Sequence, residues 1–101
     1  MQTSVDELRL GALGAHNSGL AISSAVQLHP SPTYNPSGAE KIVVQALAQN
    51  VRFTLDGTNP TASLGFQLKA NDPPLTIPLK GCTLKVIEET ATASLQFQMS
   101  G

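Results

Sequence analysis

The chain has 101 residues, 41% of them hydrophobic and only 13% charged, with a net charge of −1. That length holds one small domain with one core, and the near-neutral balance excludes the basic footprint of a nucleic-acid-binding protein. With so few charges the polar surface is built from Ser, Thr, Asn and Gln, which suits β-structure and a surface covered by partners. A single Cys82 excludes an internal disulfide and a cysteine-based metal site. Residues 1–7 lack the basic and apolar regions of a signal peptide. The longest apolar run, Ile42-Val43-Val44, is far too short to span a membrane. A soluble product kept in the cytoplasm, or assembled there into something larger, is the expectation.

In chain order, Ser4-Val5-Asp6-Glu7 has capping-box form and predicts two helical turns from Val5. Gly11, Gly14 and Gly19 oppose a helix further on, so residues 11–19 are expected to be extended or turned. Residues 25–29 read as a strand with Val26 and Leu28 on one face. Pro30, Pro32 and Pro36 end it, and residues 30–38 read as an ordered loop near polyproline geometry. Leu8, Leu10, Leu13, Leu20 and Ile22 are thinly spread, so residues 1–38 are expected to form an extended arm and proline-rich loop. Such an arm orders on a partner or lies over its own domain.

Residues 39–101 read as a β-domain. Ile42, Val44 and Ala46 alternate with Val43 and Leu47, which predicts a strand covered on both sides. Val51, Phe53 and Leu55 alternate with Arg52 and Thr54, and Asp56-Gly57 supplies a tight reversal closed by Pro60. Further strands follow at residues 64–69, 75–79, 82–87 and 94–99, with Pro78 marking an edge. About seven strands at roughly ten-residue spacing predict an all-β fold: an antiparallel β-sandwich or jelly-roll-like barrel with an extended N-terminal arm. Its core is expected to take Phe53, Leu55, Leu64, Phe66, Leu68, Ile77, Leu84, Val86, Leu95 and Phe97.

Chemistry-bearing residues are sparse. His16 and His29 have no carboxylate or thiol at ligand spacing, and Cys82 reads as a small buried hydrophobe. Glu88 and Glu89 are neighbours in a strand, point to opposite faces, and read as solvated residues at its end. Asp56 can join Asn59 and Asp72 around a calcium ion only if their loops meet; otherwise it makes the turn. Gly-x-Ser-x-Gly and a glycine-rich phosphate loop are both absent. Tyr34, the one tyrosine, is expected to pin the proline loop onto the sheet or onto a neighbouring subunit. No acid, base or nucleophile stands in a recognisable setting, so a non-enzymatic protein without cofactor or metal is expected.

Two segments carry a resemblance. Residues 48–65, AQNVRFTLDGTNPTASLG, and residues 84–95, LKVIEETATASL, resemble a pair of segments in small tailed-bacteriophage virion proteins. Those have the form A-Q-N-[VI]-R-[FWY]-x-x-D-G-T-x-P-T-A-S-x-G followed by [IL]-K-[VF]-I-E-E-T-A-x-A-x-L. The resemblance implies a compact β-domain on the particle, most like a capsid decoration or cement protein. Such a protein binds the outer surface of the major capsid protein lattice as a homo-oligomer, and is found on the virion after assembly in the host cytoplasm. It implies no catalytic residue. Leu8, Leu10, Leu13 and Tyr34 are the expected partner contacts. FTLDGTNPT is also similar to the Y-T-L-D-G-[ST]-x-P-T of immunoglobulin-like modules on chitobiase-type glycosidases. The alternative it raises is a receptor- or carbohydrate-binding module on a tail or fibre.

Overall fold

The computed structural model describes residues 12–36 and 38–100, with side chains from His16 onward. The helix expected from Val5, with Leu8 and Leu10, lies outside the described residues. Eight strands follow in order: β1 (Ala12–Ala21), β2 (Val26–His29), β3 (Lys41–Leu47), β4 (Val51–Thr54), β5 (Phe66–Leu68), β6 (Leu75–Pro78), β7 (Leu84–Glu88) and β8 (Ser94–Ser100).

These strands form two antiparallel four-stranded sheets, ordered β1-β8-β3-β6 and β2-β7-β4-β5. Only β4 and β5 are consecutive strands paired within one sheet; the other connections cross between sheets. This is the double-sheet jelly-roll arrangement, in which most of the pairing is between distant parts of the chain. Residues 12–29, read from sequence with the arm, form strands of both sheets. Ala12 pairs with Ser100 and Ala21 with Ser94, while Val26 pairs with Val86. The glycine-bearing stretch is extended as expected, and register shifts between Leu13 and Asn17 and between Asn17 and Leu20 bend it along β8.

Alternation decides which side chains meet between the sheets. Ile42, Val44 and Ala46 of β3 face Val51 and Phe53 of β4 and Leu84 and Val86 of β7, with Leu95, Phe97 and Met99 of β8 beside them. Leu28, Ile77 and Leu79 complete this layer, and Ile22, from the thinly apolar N-terminal segment, is fully buried, so this part of the chain lies over its own domain. Val43 and Leu47 are half-buried, so β3 is fully covered on one side only, a correction to the two-sided expectation. β6 is an edge with Pro78 exposed, as its proline required.

Two expected core residues are not in the core. Phe66 is 64% exposed and Leu64 47%, while Leu55 and Leu68 are only half-buried. The reason is position: β5 is a short outer strand, so nothing lies beyond it to cover Phe66, which rests on Phe53 at 5.5 Å between ring centroids. Leu95→Ala, at a site with 0% exposure, is therefore expected to lower unfolding stability by about 3 kcal/mol. Phe66→Ala is expected to cost only about 1 kcal/mol. Urea denaturation followed by circular dichroism checks both.

Candidate functional site

The two segments that carry the sequence resemblance are far apart in the chain and adjacent in the fold. The first contains β4 and the whole connection to β5; the second is β7, the turn after it and the start of β8. β4 pairs with β7, placing Val51 against Glu88 and Arg52 against Ile87. Arg52 joins the segments directly. Its Nε donates to Glu89 Oε1 at 2.7 Å and its Nη1 donates to the Gly65 carbonyl at 2.9 Å. Glu89 also accepts from Gln67 Nε2 at 2.8 Å and Asn50 Nδ2 at 3.2 Å, and the Asn50 side-chain oxygen accepts the Ala70 amide at 2.8 Å.

Glu89 is thus not the freely solvated strand-end residue its sequence suggests. The arginine and glutamate side chains are 25% and 19% exposed. Hydrogen bonds from Gln67, Asn50 and Arg52 hold the Glu89 carboxyl below the usual carboxylate range, with the nearby guanidinium charge adding to them. A carboxylate depressed in the folded state stabilises the fold above its unfolded pKa, and that contribution disappears as pH falls through the folded value. Stability is expected to fall on acidification from about pH 4.5, the ordinary Glu value. Glu89→Gln should flatten that dependence and lower stability at neutral pH, as read by urea denaturation at a series of pH values.

Arg52 and Glu89 secure one end of the 55–65 loop, and other bonds secure the rest. The Asp56-Gly57 pair does not reverse β4 into β5 as a two-residue hairpin turn. Instead Asp56 forms a parallel bridge with Thr83, and the Gly57 amide donates to Thr83 O at 3.2 Å. Thr83 N donates in turn to Leu55 O at 3.0 Å. Asp56 Oδ1 accepts the Thr58 amide at 3.0 Å, an Asx-type turn, and the Thr54 hydroxyl donates to Thr58 O. Hydrogen bonds from Thr58, its amide foremost, hold the exposed Asp56 carboxyl low, so it is charged at neutral pH. Pro60 is fully buried, Lys85 Nζ donates to Asn59 Oδ1 at 2.9 Å, and Thr61 and Leu64 exchange backbone bonds of 3.1 and 3.2 Å.

At the end of this loop Gly65 has φ +125°, and a Cβ there would lie 2.9 Å from the Phe53 carbonyl oxygen. Only glycine permits this approach of the returning chain to β4. Gly65→Ala is expected to cost 2 kcal/mol or more, about the sum of backbone strain and a forced separation. Thermal unfolding of the variant measures it.

Between the secured loop and the β4–β5 pair opens a cleft of about 450 Å³, lined by Phe53, Leu55, Asp56, Leu64 and Phe66 among others. Its wall is mainly apolar with one carboxylate, and its rim holds Leu64 and Phe66, two of the three large apolar side chains that stand exposed among the described residues. Sequence reasoning placed both in the core; their exposure comes from the place of β5 at the outer edge of its sheet, which no local pattern of residues carries.

The other singled-out residues lie elsewhere. Tyr34 is half-buried with its ring edge-on to Phe97 at 6.3 Å, which ties the proline loop to the core. Leu13 lies in β1, with its side chain outside the described part. Asn35 holds the same proline loop: its side chain brackets Ala39 through both N–H and C=O, at 2.8 and 3.2 Å, and donates to His29 Nδ1 at 2.8 Å. His16 sits on the other sheet, donating from Nε2 to Gln96 Oε1 at 3.0 Å. From there an amide ladder runs through Gln45 to the Asp72 carbonyl. The loops of Asp56 and Asp72 do not meet, since Asp56 bridges to the start of β7 while the Asn71 amide bonds Ala46 near the end of β3. Among the described residues no three His, Cys, Asp or Glu side chains gather as a metal site. Cys82 is half-buried near Pro78 O, and burial pushes its thiol up, away from the reactive thiolate.

No protein-family model matches the chain, and no match was found among curated proteins or solved structures.

Proposed function

We propose that this is a non-enzymatic structural virion protein of a tailed bacteriophage. It binds the outer surface of the major capsid protein lattice as a homo-oligomer and stabilises the head, as a decoration or cement protein does. The reading rests on the resemblance of residues 48–65 and 84–95 to such proteins. The observation that carries it onto a surface is the exposed Leu64 and Phe66 beside an apolar cleft, held by the Arg52–Glu89 clamp that those same two segments build. A surface held rigid in advance loses little entropy on binding, which suits permanent contact with a neighbouring protein in the assembled particle. The low charge of the chain fits a protein that spends its life packed against others.

The N-terminal residues serve as a second contact. Leu8 and Leu10, ahead of β1 in the chain, are assigned to a neighbouring capsid subunit, while Leu13 belongs to the strand. Tyr34 supports the proline loop beside them in function. Deleting residues 1–11 removes no residue of a described strand, whereas cutting into β1 takes away one of the two neighbours of β8.

Cosedimentation with expanded heads of the cognate capsid protein tests the reading. The wild-type chain is expected to pellet with heads at saturable occupancy. Phe66→Asp and the 1–11 deletion should each weaken affinity for heads by about tenfold, a change of about 1.4 kcal/mol. Absence of wild-type binding to heads, together with hits for the isolated domain on a glycan array, would replace this reading with a sugar-binding module on a tail or fibre.

A further inference from the structure

The four outer edges of the two sheets are not equally open to another strand. β1 is bent by two register shifts along β8. β2 has a shift between Gln27 and His29 and runs directly into Pro30. β6 contains Pro78 and is preceded by Pro73 and Pro74. Bulges and prolines of this kind block edge-to-edge pairing. β5 has none of them: it pairs with β4 in unbroken register and its three residues, Phe66, Gln67 and Leu68, include neither proline nor charge. It is also the edge that carries the exposed Phe66, next to Leu64 and the cleft.

We infer that the β5 edge and its cleft bind a second copy of this chain, β5 against β5 in antiparallel, about a twofold axis through Gln67. This rests on reading the cleft as a protein-docking surface, and it names the occupant. Charge and symmetry select that occupant. With the axis at Gln67, Phe66 stands opposite Leu68 of the second copy, and the two Phe66 residues are diagonal neighbours at about 7–8 Å, within reach of aromatic rings. Lys69, one residue beyond the strand, stands opposite Gly65 of the second copy, and Asp56 lines the same cleft as Gly65. Lys69 and Asp56 are both exposed, and neither has an ion-pair partner among the described residues. The twofold axis uses the complementarity twice, Lys69 of each copy meeting Asp56 of the other.

Such an arrangement joins two β2-β7-β4-β5 sheets into one continuous sheet and covers Phe66 on both copies. A three-residue strand with two apolar side chains makes a contact smaller than the roughly 800 Å² per partner of a standard interface. The dimer is therefore expected to depend on concentration in solution and to be favoured where a lattice holds copies close together.

Sedimentation equilibrium of the full chain over a wide concentration range tests the inference, with circular dichroism confirming the fold of each variant. A reversible dimer is expected. Phe66→Asp should weaken it by about tenfold or more. Lys69→Glu, at an exposed position that the fold does not use, should weaken it by about three- to tenfold, as should Asp56→Lys, and combining the two should restore most of the affinity. A wild-type chain that stays monomeric throughout, a dimer indifferent to Phe66→Asp, or a charge swap without rescue overturns the inference. Binding of heads by a strictly monomeric chain sinks the second-copy assignment and leaves head binding standing. A dimer that ignores heads supports the assignment and sinks the capsid reading.

Discussion

The guanidinium of Arg52 is where β4, the turn after β7 and the 55–65 loop are tied together. One nitrogen donates to Glu89 in the turn after β7, and another to the Gly65 carbonyl at the end of the cleft loop. Planar geometry suits the role: a guanidinium can serve two acceptors in fixed directions, which an ammonium on a flexible stem cannot do as well. Partial exposure makes the pair a poor source of net stability, so its value lies in position more than in strength. Gly65 can approach β4 only because it has no side chain, and the arginine holds it there. Leu64 and Phe66 stand on either side of that glycine, at the outer edge of the sheet, where no further strand covers them.

The rest of the fold supplies a stiff frame for this arrangement. Most connections cross between sheets, so β8 lies between β1 and β3, and β7 between β2 and β4. The chain's first described strand and its last are paired over their length. Long-range pairing of this kind joins the ends of the sequence into one core, where Ile22, Leu28, Leu79 and Leu95 are all buried. Side-chain amides do on the outer faces what charges do in other proteins. The His16–Gln96–Gln45 ladder crosses one sheet, and Asn50 and Gln67 serve Glu89 on the other.

Much of the strand pattern is legible from the residues alone, because alternation in β3, β4, β7 and β8 marks the residues of the buried face, although the second face of β3 is less covered than its apolar Val43 and Leu47 suggest. Pro78 likewise announces an edge. β1 is harder to see: its glycines and polar residues match no strand template, and it is a strand because β8 offers it a partner some eighty residues away, a fact that no local window contains. The same blindness explains Asp56-Gly57. A tight hairpin is the natural local reading, yet the loop instead pairs with Thr83. Phe66 looks like core by type and alternation, and only the sheet order reveals that β5 has a neighbour on one side. Glu89 shows the reverse error, a residue judged solvated that collects three side-chain donors once β4 and β7 are adjacent.

The two resembling segments thus form one device: a clamp that holds a loop, and a loop that displays an apolar surface. Amide hydrogen exchange on an Arg52→Leu variant tests that linkage most directly. Faster exchange is expected at the mutually bonded amides of Thr61 and Leu64, with the β3 and β8 amides keeping their wild-type protection. Unchanged exchange in the 55–65 loop would contradict the account, as would loss of protection throughout both sheets.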